Sequence, residues 1–226
     1  MIMPILKPSF KQKLFEQFAK LGKALGSEIR LDLLELIIQR PTAVEDLAKK
    51  VNLPIANVSQ HLQVLKQVGI VQTTRQGKSI VYEISDTDVI ELFLKLQQVG
   101  QRHIDEVDQL VEKYLTSKDS LDGLPVDQVL KLAKRGEITL LDVRPQDEYA
   151  YSHLSGAINI TLEELEERLK DLPKSKMVVA YCRGANCILS YEAVKRLRLR
   201  GFKAVRTEDG IPNWLNTKIK LVKQED

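Results

Sequence analysis

The chain changes texture once, and that change limits its possible folds more than any single motif. Before residue 116 apolar residues recur mostly at helical spacing. After the polar run Thr116-Ser117-Lys118-Asp119-Ser120, helix and strand patterns alternate. A length of 226 residues accommodates two small domains with a core each. The expected boundary therefore separates residues 1–117 from residues 118–226.

In the first part, Leu14, Phe15, Phe18, Leu21 and Leu25 share one helix face. Ile29, Leu33, Leu36 and Ile37 share a second, with Ser27 as N-cap. After Pro41, Thr42 is expected to cap a short helix with Val44, Leu47 and Val51 inward. A turn at Leu53-Pro54 leads into a helix whose inner face is Val58, Leu62 and Leu65, and Gly69 stops it. Two β-prone runs, 70–74 and 79–84, meet around Gln76-Gly77 as a hairpin. One long helix then carries Val89, Leu92, Phe93, Leu96, Val99, His103, Val107, Leu110 and Tyr114. Its apolar surface suits pairing between two subunits.

Helix, short helix, turn, helix and hairpin make a winged helix-turn-helix, a mainly-α module whose second motif helix enters the major groove. No Asp or Glu lies between Asp46 and Glu83, whereas Lys49, Lys50, Lys66, Arg75 and Lys78 do. That local basic surface matters more than the formal net charge of +3. Ala56, Ser59, Gln60, Gln63 and Gln67 form one stripe of the helix, flanked by Asn57 and His61. Gln and Asn pair bidentately with adenine, and Ser serves either base type. Lys66, Arg75 and Lys78 would meet phosphates and set register. The bland alternative is a solvated amphipathic helix.

In the second part the expected order is helix 126–135, strand 139–143, helix 162–169, strand 177–181, helix 189–200 and strand 204–206. This is the α/β pattern of a parallel sheet covered by helices. The strand ending at Tyr181 runs into Cys182-Arg183-Gly184-Ala185-Asn186-Cys187-Ile188. A thiolate at Cys182 would face backbone N–H groups of Arg183 to Ile188 and a helix start, both of which favour negative charge. Gly184 and Ala185 are expected to let this loop curl. Asp142 and Arg144 are expected to form a buried, loop-supporting pair. A phosphate loop needs Arg six positions after its nucleophile, and position 188 is Ile, which disfavours phosphatase chemistry. Cys187 is a candidate resolving thiol for Cys182, or simply a small buried one.

The two cysteines, five positions apart, make no disulfide scaffold, and the expected location is cytoplasmic. No signal peptide is expected at 1–10. No run approaches the roughly 20 apolar residues that span a bilayer, so no membrane partner is expected.

Residues 57–71, "NVSQHLQVLKQVGIV", resemble the recognition helix and wing of the ArsR/SmtB repressors, a likeness that extends over about 10–115. It implies a homodimer on double-stranded operator DNA. Pro54 stands where that family often has a capping Ser. The metal-sensing Cys-x-Cys of many members is absent from Val44-Glu45-Asp46-Leu47-Ala48. His103 with Asp105, Glu106 and Asp108 does not make a tetrahedral set, so no metal or cofactor is expected.

Residues 140–160, "LLDVRPQDEYAYSHLSGAINI", resemble the first signature of rhodanese (sulfurtransferase) domains. Residues 208–222, "EDGIPNWLNTKIKLV", resemble their closing "GGxxxWxxxGxPV" signature. The likeness implies that Cys182, between the two, is the catalytic cysteine and becomes a persulfide. Thiosulfate enzymes of this family often carry Arg or Lys late in the loop, where this chain has Cys187. The expected function is a dimeric regulator sensing a sulfane-sulfur donor or an oxidant at Cys182. The alternative is a sulfurtransferase proper, with the winged helix dimerising or locating it.

Overall fold

The computed structural model describes residues 9–115, 123–215 and 217–224, in two compact units, Met1–Val89 and Ile90–Asp226. Residues 116–120, expected as the linker, lie outside the described residues.

The first unit opens with α1 (Phe10–Leu25), fixed by a capping box: the Ser9 hydroxyl accepts from Gln12 N, and Ser9 N donates to Gln12 Oε1. Its apolar stripe stays open, since Phe15 and Phe18 are each 58% exposed. In α2 (Glu28–Gln39), Ser27 occupies the N-cap position without a side-chain cap bond. Leu33, Leu34, Leu36, Ile37 and Ile38 are buried.

Thr42 does not cap the next helix. It lies in β1 (Thr42–Ala43), paired with Tyr82, and its hydroxyl donates to Arg40 O at 2.9 Å. The N-cap of α3 (Val44–Lys50) is Ala43. After Pro54, α4 (Ile55–Gln67) buries Val58, Leu62 and Leu65. Gly69 follows it at φ +78°, the left-handed conformation that ends helices.

The strands β2 (Val71–Gln76) and β3 (Ser79–Ile84) pair antiparallel, with Gln76 opposite Ser79. The turn is therefore Gly77-Lys78, one residue later than expected, with Gly77 at φ +61°. The sheet order is β1-β3-β2.

The expected long helix is two: α5 (Thr87–His103) and α6 (Asp105–Leu115), interrupted at Ile104. An acidic first turn at Asp105, Glu106 and Asp108 suits a new helix start.

The second unit continues with α7 (Val126–Lys134), β4 (Ile138–Asp142), α8 (Gln146–Tyr151), β5 (His153–Leu154), β6 (Ile158–Asn159) and α9 (Leu165–Arg168). It then runs through β7 (Met177–Tyr181), α10 (Ile188–Leu199), β8 (Ala204–Arg206), α11 (Ile211–Leu215) and β9 (Leu221–Val222). The expected helix 162–169 shrinks to α9 and a 3-10 turn, Leu169–Asp171.

The parallel sheet runs β6-β4-β7-β8. All of β4 is buried, as a strand covered on both faces must be. Alternation along β7 sends Val178, Ala180 and then Cys182 into one core with Leu141, Ala193 and Leu197. Val179 and Tyr181 enter the other, with Val129, Leu140 and Trp214. Cys182 thus sits on the α10 side of the sheet, at the end of a central strand.

Candidate functional site

Two surfaces carry the residues singled out by the sequence. On α4, Ala56, Gln60, Gln63 and Lys66 are exposed, while Asn57, Ser59 and His61 are half-buried. Two of these side chains turn toward the hairpin. Lys66 Nζ donates to Thr73 Oγ1 at 2.8 Å, and Gln63 Nε2 to the Tyr82 hydroxyl at 3.4 Å. Burial raises the Tyr82 pKa, with the Gln63 bond opposing it. Arg75 and Lys78 are exposed on the hairpin, and Arg75 Nε donates to Gly77 O at 3.2 Å. No Asp or Glu lies among these residues.

The second surface is the 182–188 loop between β7 and α10. Cys182 is 1% exposed and is disulfide-bonded to Cys187, their Cα atoms 6.3 Å apart. Cys187 is the N-cap of α10. Its N–H donates to Gly184 O at 3.1 Å, so one of the N–H donors expected to face a thiolate is closed onto the loop itself. Ala185 and Asn186 are exposed, Gly184 is half-buried, and Ile188 is 47% exposed.

Gly184 is not what lets the loop curl. It has no positive φ, and a Cβ there would meet open space. The tight glycine is Gly210: a Cβ on it would lie 2.5 Å from Cys182 O and from Arg183 C, and would clash with Gly184 N. Ile211 N donates to the same Cys182 carbonyl at 3.4 Å. The closing signature thus forms the back wall of the cysteine loop. The sequence signal was available, since the GGxxxW pattern retains its second glycine here as Gly210.

Arg144 and Asp142 are both fully buried and joined by Nη2–Oδ2 at 2.7 Å and Nε–Oδ1 at 3.1 Å. Arg144 N donates to Asp142 Oδ1 at 2.9 Å, and Arg144 Nη2 to Ser152 O at 2.6 Å. This network holds the β4–α8 turn. Asn159 Nδ2 bridges the Asp142 and Arg144 carbonyls at 3.0 and 2.9 Å.

Sequence reasoning missed Glu148. It is fully buried on α8 and takes Arg183 Nη2 at 2.6 Å and Nε at 3.0 Å. An acid in the first turn of a short helix reads as a dipole partner, and nothing local marks it as the mate of a residue 35 positions on. The Tyr181 hydroxyl accepts from Leu154 N at 3.1 Å. Burial first, and the Asp142 charge next, push its pKa well above 10.0.

Among the described residues no group of three His, Cys, Asp or Glu could hold a metal ion. Among them, too, no helix is long and apolar enough to cross a membrane.

Residues 27–73 match the model of the bacterial regulatory protein arsR family, and residues 125–217 that of the rhodanese-like domain. The chain is 38% identical over 204 residues to an HTH-type transcriptional regulator of Mycobacterium tuberculosis, covering 90% of this chain and 89% of that one. Over 75 residues it is 33% identical to the thiosulfate sulfurtransferase GlpE of Coxiella burnetii, covering 33% of this chain and 68% of the enzyme. A solved homodimeric winged helix-turn-helix domain from Mycobacterium bovis is 35% identical, with a TM-score of 0.41, covering 44% of this chain and 92% of that one.

Proposed function

Since the chain belongs to the ArsR-family HTH-type transcriptional regulators and carries a rhodanese-like domain behind its winged helix, we propose that it is a cytoplasmic, homodimeric operator-binding protein whose affinity follows the state of Cys182. In this reading α4 enters the major groove, where Ser59, Gln60 and their neighbours contact bases, and Arg75 and Lys78 contact phosphates. The dimer forms through the exposed apolar residues of α1 and α5, such as Phe15, Phe18, Leu96 and Val99.

The observation that carries the sensing reading is the bond between Cys182 and Cys187 across one short loop. Two thiols so placed are oxidised by hydrogen peroxide in two steps. The Cys182 thiolate attacks one peroxide oxygen, the O–O bond breaks, and the departing hydroxide takes a proton from solvent as water, leaving a sulfenic acid. The Cys187 thiol then attacks the sulfenic sulfur, the S–O bond breaks, and the oxygen leaves with the thiol proton as a second water while the disulfide forms. A sulfane-sulfur donor acts on Cys182 alone: the thiolate attacks the outer sulfur, the donor S–S bond breaks, the donor thiolate leaves, and Cys182 is left as a persulfide.

The second reading is a sulfurtransferase that the winged helix dimerises or locates. It is favoured by the 75-residue likeness to a thiosulfate sulfurtransferase. Sulfur-transfer turnover with thiosulfate and persulfide donors, measured with and without operator DNA, separates the two. A regulator takes up sulfur about once and alters DNA binding, whereas an enzyme turns over indifferently to DNA.

A further inference from the structure

Arg183 is the single cation of the 182–188 loop, and its charge is already matched. The Glu148 carboxylate, with no exposed side-chain surface, takes both Nη2 and Nε of an Arg183 side chain that is itself 18% exposed. A bidentate guanidinium held on a carboxylate presents little net charge to a ligand. Arg206, at the end of the adjacent β8, is held on other groups: its Nη1 donates to Thr207 O at 2.9 Å, and its guanidinium lies 4.4 Å from the Tyr191 ring. Asp209 directly precedes Gly210, which packs on the Cys182 carbonyl, and occupies the first glycine position of the closing signature.

We propose that Glu148 sets the charge selectivity of Cys182 by neutralising Arg183, so that the site reacts with neutral or singly charged partners, such as peroxides and alkyl persulfides, in preference to dianions such as thiosulfate. The inference rests on the reading of Cys182 as the reacting sulfur. With a persulfide donor, the Cys182 thiolate attacks the outer sulfur, the donor S–S bond breaks, and the donor thiolate leaves with the electron pair. With thiosulfate the same attack releases sulfite, and the dianion must first approach a loop whose cation is cancelled.

The test uses the full chain, reduced, in a Cys187→Ser background, where Cys182 is the only thiol. Two ratios are read by intact mass: alkylation by iodoacetate over iodoacetamide, and sulfur uptake from thiosulfate over 2-hydroxyethyl persulfide, which carries at most one negative charge. Glu148→Gln uncovers the Arg183 charge and is expected to raise both ratios by about tenfold, the effect of one nearby unit charge at intermediate dielectric. The double variant Glu148→Gln with Arg183→Gln replaces one neutral pair by another and should keep both within about twofold of the parent. Unchanged ratios in Glu148→Gln would overturn the proposal. So would a tenfold fall in the double variant, which decides alone if the single variant does not fold. If neither donor sulfurates Cys182 but the alkylation ratio still rises in Glu148→Gln, the sulfur-sensing reading fails and the charge selectivity stands.

Discussion

Gly210 and Cys182 touch through their backbones so closely that a methyl group on Gly210 would stand 2.5 Å from the Cys182 carbonyl oxygen. The closing signature of the second unit is therefore part of the cysteine loop's architecture. Gly210→Ala must shift the β8–α11 loop or the cysteine loop, at a cost of about 1–3 kcal/mol. Gly184→Ala, which meets open space at an ordinary φ, should stay within about 0.5 kcal/mol. Thermal unfolding of both variants checks this, and equal losses would contradict it.

The Asp142–Arg144 pair is fully buried, and removing one partner leaves the other charge without its counterion. Asp142→Ala is expected to destabilise the protein by about 3–5 kcal/mol in urea unfolding. A loss below about 1 kcal/mol, the range of exposed pairs, would mean that water reaches Arg144 in the folded state.

On α4, Gln60 is exposed and Ser59 half-buried. Gln60→Ala and Ser59→Ala should each weaken operator binding by roughly 1–3 kcal/mol and reduce discrimination against random duplex. Lys78→Ala should weaken both duplexes alike and lower the salt slope by about one. Fluorescence anisotropy measures all three. An unchanged operator-to-random ratio in Gln60→Ala would move the reading face elsewhere.

Burial raises the Asp209 pKa from its ordinary value of 3.8. Below that value the carboxyl is protonated in the folded and unfolded chains alike. As the pH rises through the folded-state value, ionisation is harder in the fold, and stability is lost. Asp209→Asn should therefore raise the Tm at neutral pH, with the gain shrinking as the pH falls toward 3.8. A gain independent of pH would point to a contact rather than to the charge.

Periodicity made the larger elements legible. The inward faces of α2 and α4 and the whole of β7 follow from apolar spacing, and Cys182 at a strand end follows from the residues after it. Boundaries decided by tertiary contacts did not. Thr42 looks like a helix cap by type, yet its pairing with Tyr82 makes it a strand residue. The break at Ile104 lies inside an unbroken apolar pattern. At the site, the backbone approach of Gly210 and the reach of Glu148 to Arg183 join segments far apart in sequence, and local pattern carries no distances.

The central claim, that chemistry at Cys182 and Cys187 alters DNA binding, is tested most directly by operator titration. The titration compares wild type, Cys182→Ser and Cys187→Ser, each reduced, persulfidated and peroxide-treated. Closing the disulfide constrains the loop more than adding one sulfur atom does. Peroxide should therefore change wild-type operator affinity more than persulfidation, by about 1–3 kcal/mol, and should leave both serine variants unchanged. Identical wild-type affinities in all three states would contradict the account and favour the sulfurtransferase reading.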